Sequence, residues 1–192
     1  MNQEYIETLL QTKKGNFIIR VYKDEFNKET TVLYTTGLDI NKPVLLRIHS
    51  ECLTGDIFHS SRCDCGEQLN KSLEQIQQSK NGMLIYLRQE GRGIGLFEKM
   101  KTYKLQDQGY DTYEANVALG HKPDARTYEW VDKIIKDFKI KEIDLITNNP
   151  DKIRNIESFG IKVRGRVDLS IKPNEYNIKY FDTKRLKFSH LL

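Results

Sequence analysis

The chain reads as an α/β (mixed α+β) protein: a central mixed, largely parallel sheet flanked by helices, with an antiparallel strand region at its N-terminus. Three observations predict this. From Met83 to Arg166, short apolar runs alternate with stripes of helical period, in the order strand, helix, strand, helix, strand. The first fifty residues hold three β-branched runs separated only by turns, a mixed or barrel-like part. At 192 residues the chain suffices for one domain with a buried core. Residues 1–192 are therefore read as a single domain with a polar, basic tail over about 172–192.

Taken in order, Asn16–Val21 (NFIIRV), Thr31–Thr36 (TVLYTT) and Val44–Ile48 (VLLRI) are rich in β-branched and aromatic residues and bounded by turn residues, including Pro43. The third run delivers Arg47 and His49 to the end of a strand. Leu69, Leu73 and Ile76 stand at i, i+4 and i+7, so a helix packs one face inward until Asn81-Gly82 stops it. Met83–Leu87 (MLIYL) is short, wholly apolar and bounded by turn signals, as in a buried strand. Leu96, Met100 and Tyr103 share a helical face that ends near Gly109, and Tyr103 reads first as a core aromatic. Gly109–Asn116 is an irregular polar segment. Pro123–Arg126 opens a helix whose stripe is Val131, Ile134, Ile135 and Phe138. Ile140–Ile146 is a further strand. Asn149 as cap and Pro150 at the first helical position then begin a helix that carries Ile153 and Ile156 and ends at Gly160.

Charged residues make up 30% of the chain, yet the net charge is only +4 and no block of like charges occurs. That modest excess suits an anionic small molecule and argues against nucleic acid. No signal-peptide pattern and no run of 18 apolar residues is present, so no membrane partner and a cytoplasmic location are expected. Three cysteines, an odd number, argue against a disulfide framework.

Two stretches carry chemistry. Cys52, Cys63 and Cys65 form a C-x10-C-x-C cluster flanked by Arg47, His49, Glu51, Asp56 and Asp64. Soft thiolates select zinc, and three of them leave the fourth corner of a tetrahedron for water or for His49 or His59. A chance cluster of reduced thiols is the bland alternative. Arg88–Leu96 (RQEGRGIGL) sets Gly91, Gly93 and Gly95 among Arg88, Glu90 and Arg92 after a strand. Backbone N–H groups and arginine forks there suit a phosphate, although the run fits neither the dinucleotide fingerprint nor the P-loop. Asp124 reads alone as a helix cap with Arg126 in the first turn. Lys152 falls in the first turn of its helix, which the helix dipole disfavours unless an anion binds beside it.

The stretches RIHSECLTGD, SRCDCGEQL, YLRQEGRGIGL, KLQDQGYDTYEAN, PDAR and LITNNPDK, in this order and at these intervals, closely resemble GTP cyclohydrolase II, and the likeness continues through NEYNIKYFDTK. The resemblance implies an enzyme that opens the imidazole ring of GTP with release of formate and pyrophosphate, the first committed step of riboflavin biosynthesis. It implies Cys52, Cys63 and Cys65 as the ligands of one Zn2+ completed by water, and Mg2+ with the triphosphate. It implies GTP contacts from Arg47, Ile48, His49, Ser50, Glu51, Gln68, Glu90, Gly91, Arg92, Thr112, Thr147 and Lys152. By the same likeness Asp124 is a proton acceptor, Arg126 a nucleophile and Tyr103 a tyrosine near the reacting base. A homodimer is also implied. There is no room for the dihydroxybutanone phosphate synthase half that some members carry, so a monofunctional protein is expected.

The departures are small: Ala125 stands where the family often has an acidic residue, and Leu-Gln-Thr at 10–12 replaces Leu-Pro-Thr. A guanidinium holds its proton at neutral pH, so Arg126 as nucleophile needs a base beside it. Side chains at i and i+2 share a face only in extended backbone. Asp124 and Arg126 are accordingly expected in a loop, with the helix beginning after them. The milder role for Arg126 is to neutralise developing phosphate charge. Two other readings stay open. One is a zinc-stabilised nucleotide- or nucleic-acid-binding module with four protein ligands. The other is a family member that stops at a formylated intermediate or acts on a related purine nucleotide.

Overall fold

The computed structural model describes residues 4–189 and 191. Their order is β1 (Glu4–Thr12), β2 (Gly15–Lys23), β3 (Glu29–Thr35), β4 (Val44–Ser50), α1 (Leu53–Asp56), α2 (Cys65–Ser79), β5 (Gly82–Leu87), α3 (Leu96–Gln106), α4 (Thr112–Ala118), α5 (Glu129–Asp137), β6 (Glu142–Ile146), α6 (Pro150–Ser158), β7 (Lys162–Val167) and α7 (Ile178–Phe188). The strands form one seven-stranded sheet in the order β1-β2-β3-β5-β4-β6-β7. Neighbours from β5 to β7 are parallel, while β1, β2 and β3 pair antiparallel and join the rest through an antiparallel β3–β5 pair. The expected mixed, largely parallel sheet is present. The opening strands extend it as a flank and close no barrel.

Both faces are covered because the central strands are apolar on both sides. On one face Val131, Ile134 and Ile135 of α5 and Ile156 of α6 pack on Val44, Leu46, Ile48, Ile85, Ile143 and Leu145. On the other, Ile76 with Leu69 and Leu73 of α2 packs on Phe17, Leu84 and Ile146. Each fully buried side chain of this kind contributes roughly 1.5–3 kcal/mol. From β4 the chain crosses through α2 to β5 on one side, and then through α5 on the opposite face back past β4 to β6. Strand order thus reverses at β4, and the crevice outside the carboxyl ends of such strands is where open α/β sheets receive ligands.

Several elements differ from the sequence reading. β1 went unpredicted. It is an edge strand whose Ile6 and Leu9 are 74% and 51% exposed, so it lacks the alternation that marks a half-buried strand. Gly109–Asn116 contains the start of α4, which opens with a capping box between Asp111 and Glu114. Within the polar, basic tail, α7 packs across the cleft described below. His190 of that tail lies outside the described residues. In α3 the expected inward stripe is turned out. Leu96 and Met100 are exposed, whereas Lys99 and Thr102 are buried, because this helix walls a polar cleft.

Candidate active site

β4 ends at Ser50, and the chain turns at once into the metal-ready loop. Cys52 precedes α1, Cys63 precedes α2, and Cys65 is the first residue of α2. Their three sulfurs lie within 4.8 Å of one another, and those of Cys52 and Cys63 are 3.7 Å apart. Tetrahedral zinc with Zn–S near 2.3 Å requires sulfurs about 3.8 Å apart, so the trio fits that ion. Neither histidine joins it: Nε2 of His49 faces Asp56 at 3.0 Å, and His59 is exposed. Among the described residues the candidate ligands are the three cysteines alone.

Gly55 lies against all three. A Cβ there would stand 2.9 Å from Cys63 Sγ, 3.0 Å from Cys65 Cβ and 3.2 Å from Cys52 Sγ. Lys99 reaches in from α3, its Nζ donating to Cys52 Sγ (3.2 Å), Thr54 Oγ1 (3.0 Å) and Glu90 Oε1 (2.8 Å). Hydrogen bonds with Cys63 and Cys65, aided by the Lys99 charge, hold the Cys52 thiol far below the usual range. The same contact with Cys52 pushes Cys63 up to about 11 and Cys65 well above its ordinary value. Three touching sulfurs thus share one negative charge, and a divalent cation is what lets all three ionise.

Asp56 anchors the base of this loop. Its carboxylate accepts from the Cys52 backbone N–H (3.0 Å), His49 Nε2 (3.0 Å) and the Tyr86 hydroxyl (2.8 Å). A carboxylate only accepts, so the His49 proton is on Nε2 and Nδ1 is left as an acceptor. Burial lowers the His49 pKa against the pull of Asp56, which keeps the ring neutral. His49 Nδ1 and Arg47 Nε are buried without a partner among the described residues. Buried orphans of this kind mark a place for a ligand or water.

The cleft also gathers cations. Arg47 donates to the Ile146 carbonyl (3.2 Å) and to Gln68 Oε1 (2.8 Å). Lys152, at the start of α6, donates to the Ile48 carbonyl at 2.9 Å. Burial first, then Arg47 and Arg126, drive the Lys152 pKa well below the usual lysine range. After β5 the chain makes a tight turn, Glu90–Gly93, with Gly91 and Arg92 both left-handed at φ 61° and 60°. Glu90 fastens that turn to the metal loop by accepting from the Leu53 N–H (2.6 Å) and the Gly91 N–H (2.8 Å). Gly93 permits the next contact: a Cβ there would stand 2.8 Å from the Ala125 carbonyl oxygen, and the Ala125 N–H donates to the Arg92 carbonyl at 3.0 Å. This seats the loop of Asp124 and Arg126, which precedes α5 as the i, i+2 argument requires. Arg126 Nε is 2.9 Å from Asp124 Oδ1, and its Nη2 also bonds Asp124. Burial opposes the Arg126 charge, but the hydrogen bonds that it donates to Asp124 outweigh it and raise the pKa.

Most of these groups face one cleft. Arg47, His49, Ser50, Glu51, Gln68, Glu90, Gly91, Arg92, Tyr103, Thr112, Arg126, Thr147, Lys152 and the three cysteines line it. Asp124 does not, and meets it through Arg126 and Arg92. Ile48 keeps its side chain in the core and offers its carbonyl to Lys152. Sequence reasoning missed Arg62, Lys99, Asn116, Asn148, Asn149, Tyr180 and Lys184, which also line the cleft. For all of these but Lys99 the signal was present, inside stretches already singled out.

Fold and site together define an α/β protein with a three-cysteine cluster fit to hold a metal ion, set in an anion-receptive cleft at a strand-order reversal. The family model described as GTP cyclohydrolase II matches residues 3–168, and the chain belongs to that family. It is 46% identical over 191 residues to the GTP cyclohydrolase-2 of Picrophilus torridus, covering 100% of both chains. It is 50% identical over 183 residues to that of Campylobacter hominis, covering 95% of this chain and 92% of the relative. It is 48% identical over 190 residues to the riboflavin biosynthesis protein RibBA of Bacillus subtilis, covering 97% of this chain and 48% of the relative. The chain thus spans about half the length of the RibBA relatives it matches.

Proposed function

We propose that this chain hydrolyses GTP in a zinc-dependent reaction that opens the guanine imidazole ring and releases formate and pyrophosphate, yielding the diaminopyrimidinone ribosylamino phosphate of riboflavin biosynthesis. The observation that carries the reading is one cleft lined both by the three cysteines and by Arg47, Arg92, Arg126 and Lys152. That lining suits a purine nucleotide with its reacting base at the sulfurs and its phosphates among the cations.

Cys52, Cys63 and Cys65 hold the zinc, which when bound supplies the Lewis acidity that activates water toward C8. Thiolates are strong donors, and Lys99 offsets this by hydrogen-bonding Cys52 and drawing charge from it. Tyr103, whose hydroxyl is 3.4 Å from Thr54 Oγ1, borders the base. Its phenol is kept neutral by burial and is therefore a donor to the purine. His49 Nδ1 accepts from the substrate. Ring opening consumes two waters, one breaking C8–N9 and one freeing C8 as formate from N7. A third water attacks the α-phosphorus as the bond to the pyrophosphate oxygen breaks. The raised pKa of Arg126 supports its electrostatic role over a nucleophilic one, since a guanidinium clamped by Asp124 has no free lone pair. Mg2+ accompanies the triphosphate, whose hard oxygens suit it.

The absence of a fourth protein ligand among the described residues weighs against the structural-zinc module. A single-domain, cytoplasmic homodimer completes the proposal, and sedimentation measures the last point. Among the described residues no helix is long and apolar enough to cross a membrane. Incubating zinc-loaded protein with GTP and Mg2+ tests the reading by formate, pyrophosphate and pyrimidine assays. Fully metallated protein that releases no formate overturns it, and pyrophosphate without formate selects a different reaction.

A further inference from the structure

The C-terminal helix lies beyond the last residue matched by the family model, 168, yet it forms part of the cleft. Three contacts seat it. Lys184 is buried and pairs at 2.5 Å with Asp64, the wholly buried residue between two of the cysteines. Phe188 lies under the Arg92 guanidinium, 3.8 Å from ring centroid to carbon. Lys187 bridges Asp111 and Glu114 at the cap of α4. These contacts fix Tyr180, one helical turn before Lys184, as a wall of the cleft.

The Tyr180 ring stacks edge-on against Phe181, 6.5 Å between centroids, and Lys184 Nζ lies 4.4 Å from its centre. Its ring is thus held, whereas its hydroxyl has no hydrogen-bond partner among the described residues. Tyr180 faces the cleft that the cysteines share with Arg92 and Arg126, and its ring is held beside the Lys184–Asp64 pair. Burial pushes its pKa well above the tyrosine range, so the group remains a neutral donor. A nucleotide with its base at the sulfurs and its β- and γ-phosphates among the cations must place its ribose and α-phosphate between them.

We propose that Tyr180 is a substrate-contacting residue, donating its hydroxyl to the ribose–α-phosphate segment of the bound guanine nucleotide, and that α7 is held by Lys184 and Phe188 to present it. This rests on the GTP reading above and adds to it a contact supplied from the C-terminal helix. The test uses full-length, zinc-loaded protein and the Tyr180→Phe variant, which removes one oxygen and keeps the ring. One neutral hydrogen bond to a ligand corresponds to a loss of up to roughly tenfold. We expect the KM for GTP and the inhibition constant for GMP both to rise by about that factor. Inhibition by inorganic tripolyphosphate, which has neither ribose nor base, stays unchanged. GTP should also slow tryptic cleavage after Arg185 and Lys187 in the parent protein, with Tyr180→Phe needing about tenfold more nucleotide for equal protection. Unchanged GMP inhibition, or an equal loss for GMP and tripolyphosphate, overturns the assignment. Parent protein that releases no formate from GTP defeats the underlying reading instead, so the two failures are distinguishable.

Discussion

Gly55→Ala sets two rules against each other at the metal loop. Gly55 lies within α1, where exchanging glycine for alanine favours the helix by up to about 1 kcal/mol. Sterically the same change drives a methyl to 2.9 Å from Cys63 Sγ and 3.2 Å from Cys52 Sγ. Ordinary carbon–sulfur contact is near 3.6 Å, so the sulfurs must retreat by roughly 0.4 to 0.7 Å, against a tolerance of about 0.2 Å in a zinc–ligand distance. Backbone relief is closed as well, since Gly66 of α2 is already packed against the Gly55 carbonyl. Sterics therefore win. The expected outcome is a folded protein that loses zinc to a chelator at concentrations at least tenfold to a hundredfold lower than the parent requires, with formate release falling in step. Metal content after graded chelator dialysis, with circular dichroism as the check on folding, measures this. Stoichiometric zinc at parental affinity in a folded Gly55→Ala protein would refute the claim that the loop is moulded on its sulfurs.

Other perturbations probe the remaining parts of the cleft. Gly93→Ala places a methyl 2.8 Å from the Ala125 carbonyl at φ +92°, so the loop of Asp124 and Arg126 must shift; kcat/KM should fall roughly a hundredfold with zinc content unchanged, as steady-state assay and metal analysis show. Lys152→Met should raise the melting temperature at pH 7 while weakening GTP binding, because it removes a buried, unpaired charge site at a gain of roughly 1–4 kcal/mol. The folded Lys152 pKa is depressed below the ordinary 10.5, so its penalty is absent above that pH and grows as pH falls below it; the gain in the variant should follow that course and vanish in strong alkali. Asp124→Asn should slow pyrophosphate release more than it weakens GTP binding, measured as a kcat loss exceeding the KM change. The folded Asp124 pKa is lowered, since hydrogen bonds and charge from Arg126 and Arg92 overcome burial. Its contribution to stability is present above the ordinary 3.8 and lost as pH falls through the folded value, and the variant should lose that acid limb in thermal melts.

What was legible in the chain follows from where each element faces. β4, β5, β6, α2 and α5 bury apolar faces against the sheet, and their periodic patterns announce them. The cysteine cluster, Gly91–Gly93 and Asn149–Lys152 declared themselves through residue types that serve little purpose in a core. Those that failed share a cause: α3, α4 and α7 wall a polar cleft, so their inward residues include Lys99, Thr102, Asn116 and Lys184, which periodicity assigns to solvent. β1 failed for the opposite reason, since neither of its faces is buried. For α4 the Asp111-x-x-Glu114 cap was readable and went unread.

The Asp64–Lys184 pair joins residues 120 positions apart, and Asp64 stands between two of the sulfurs. During synthesis the cysteine loop emerges long before its partner lysine, so a buried carboxylate waits uncompensated while more than half of the protein is still being made. Asp64 therefore gains its buried partner only once Lys184 is in place. A chain cut before that residue would carry the thiols without the clasp, so the C-terminal helix is tied directly to the loop that holds the sulfurs.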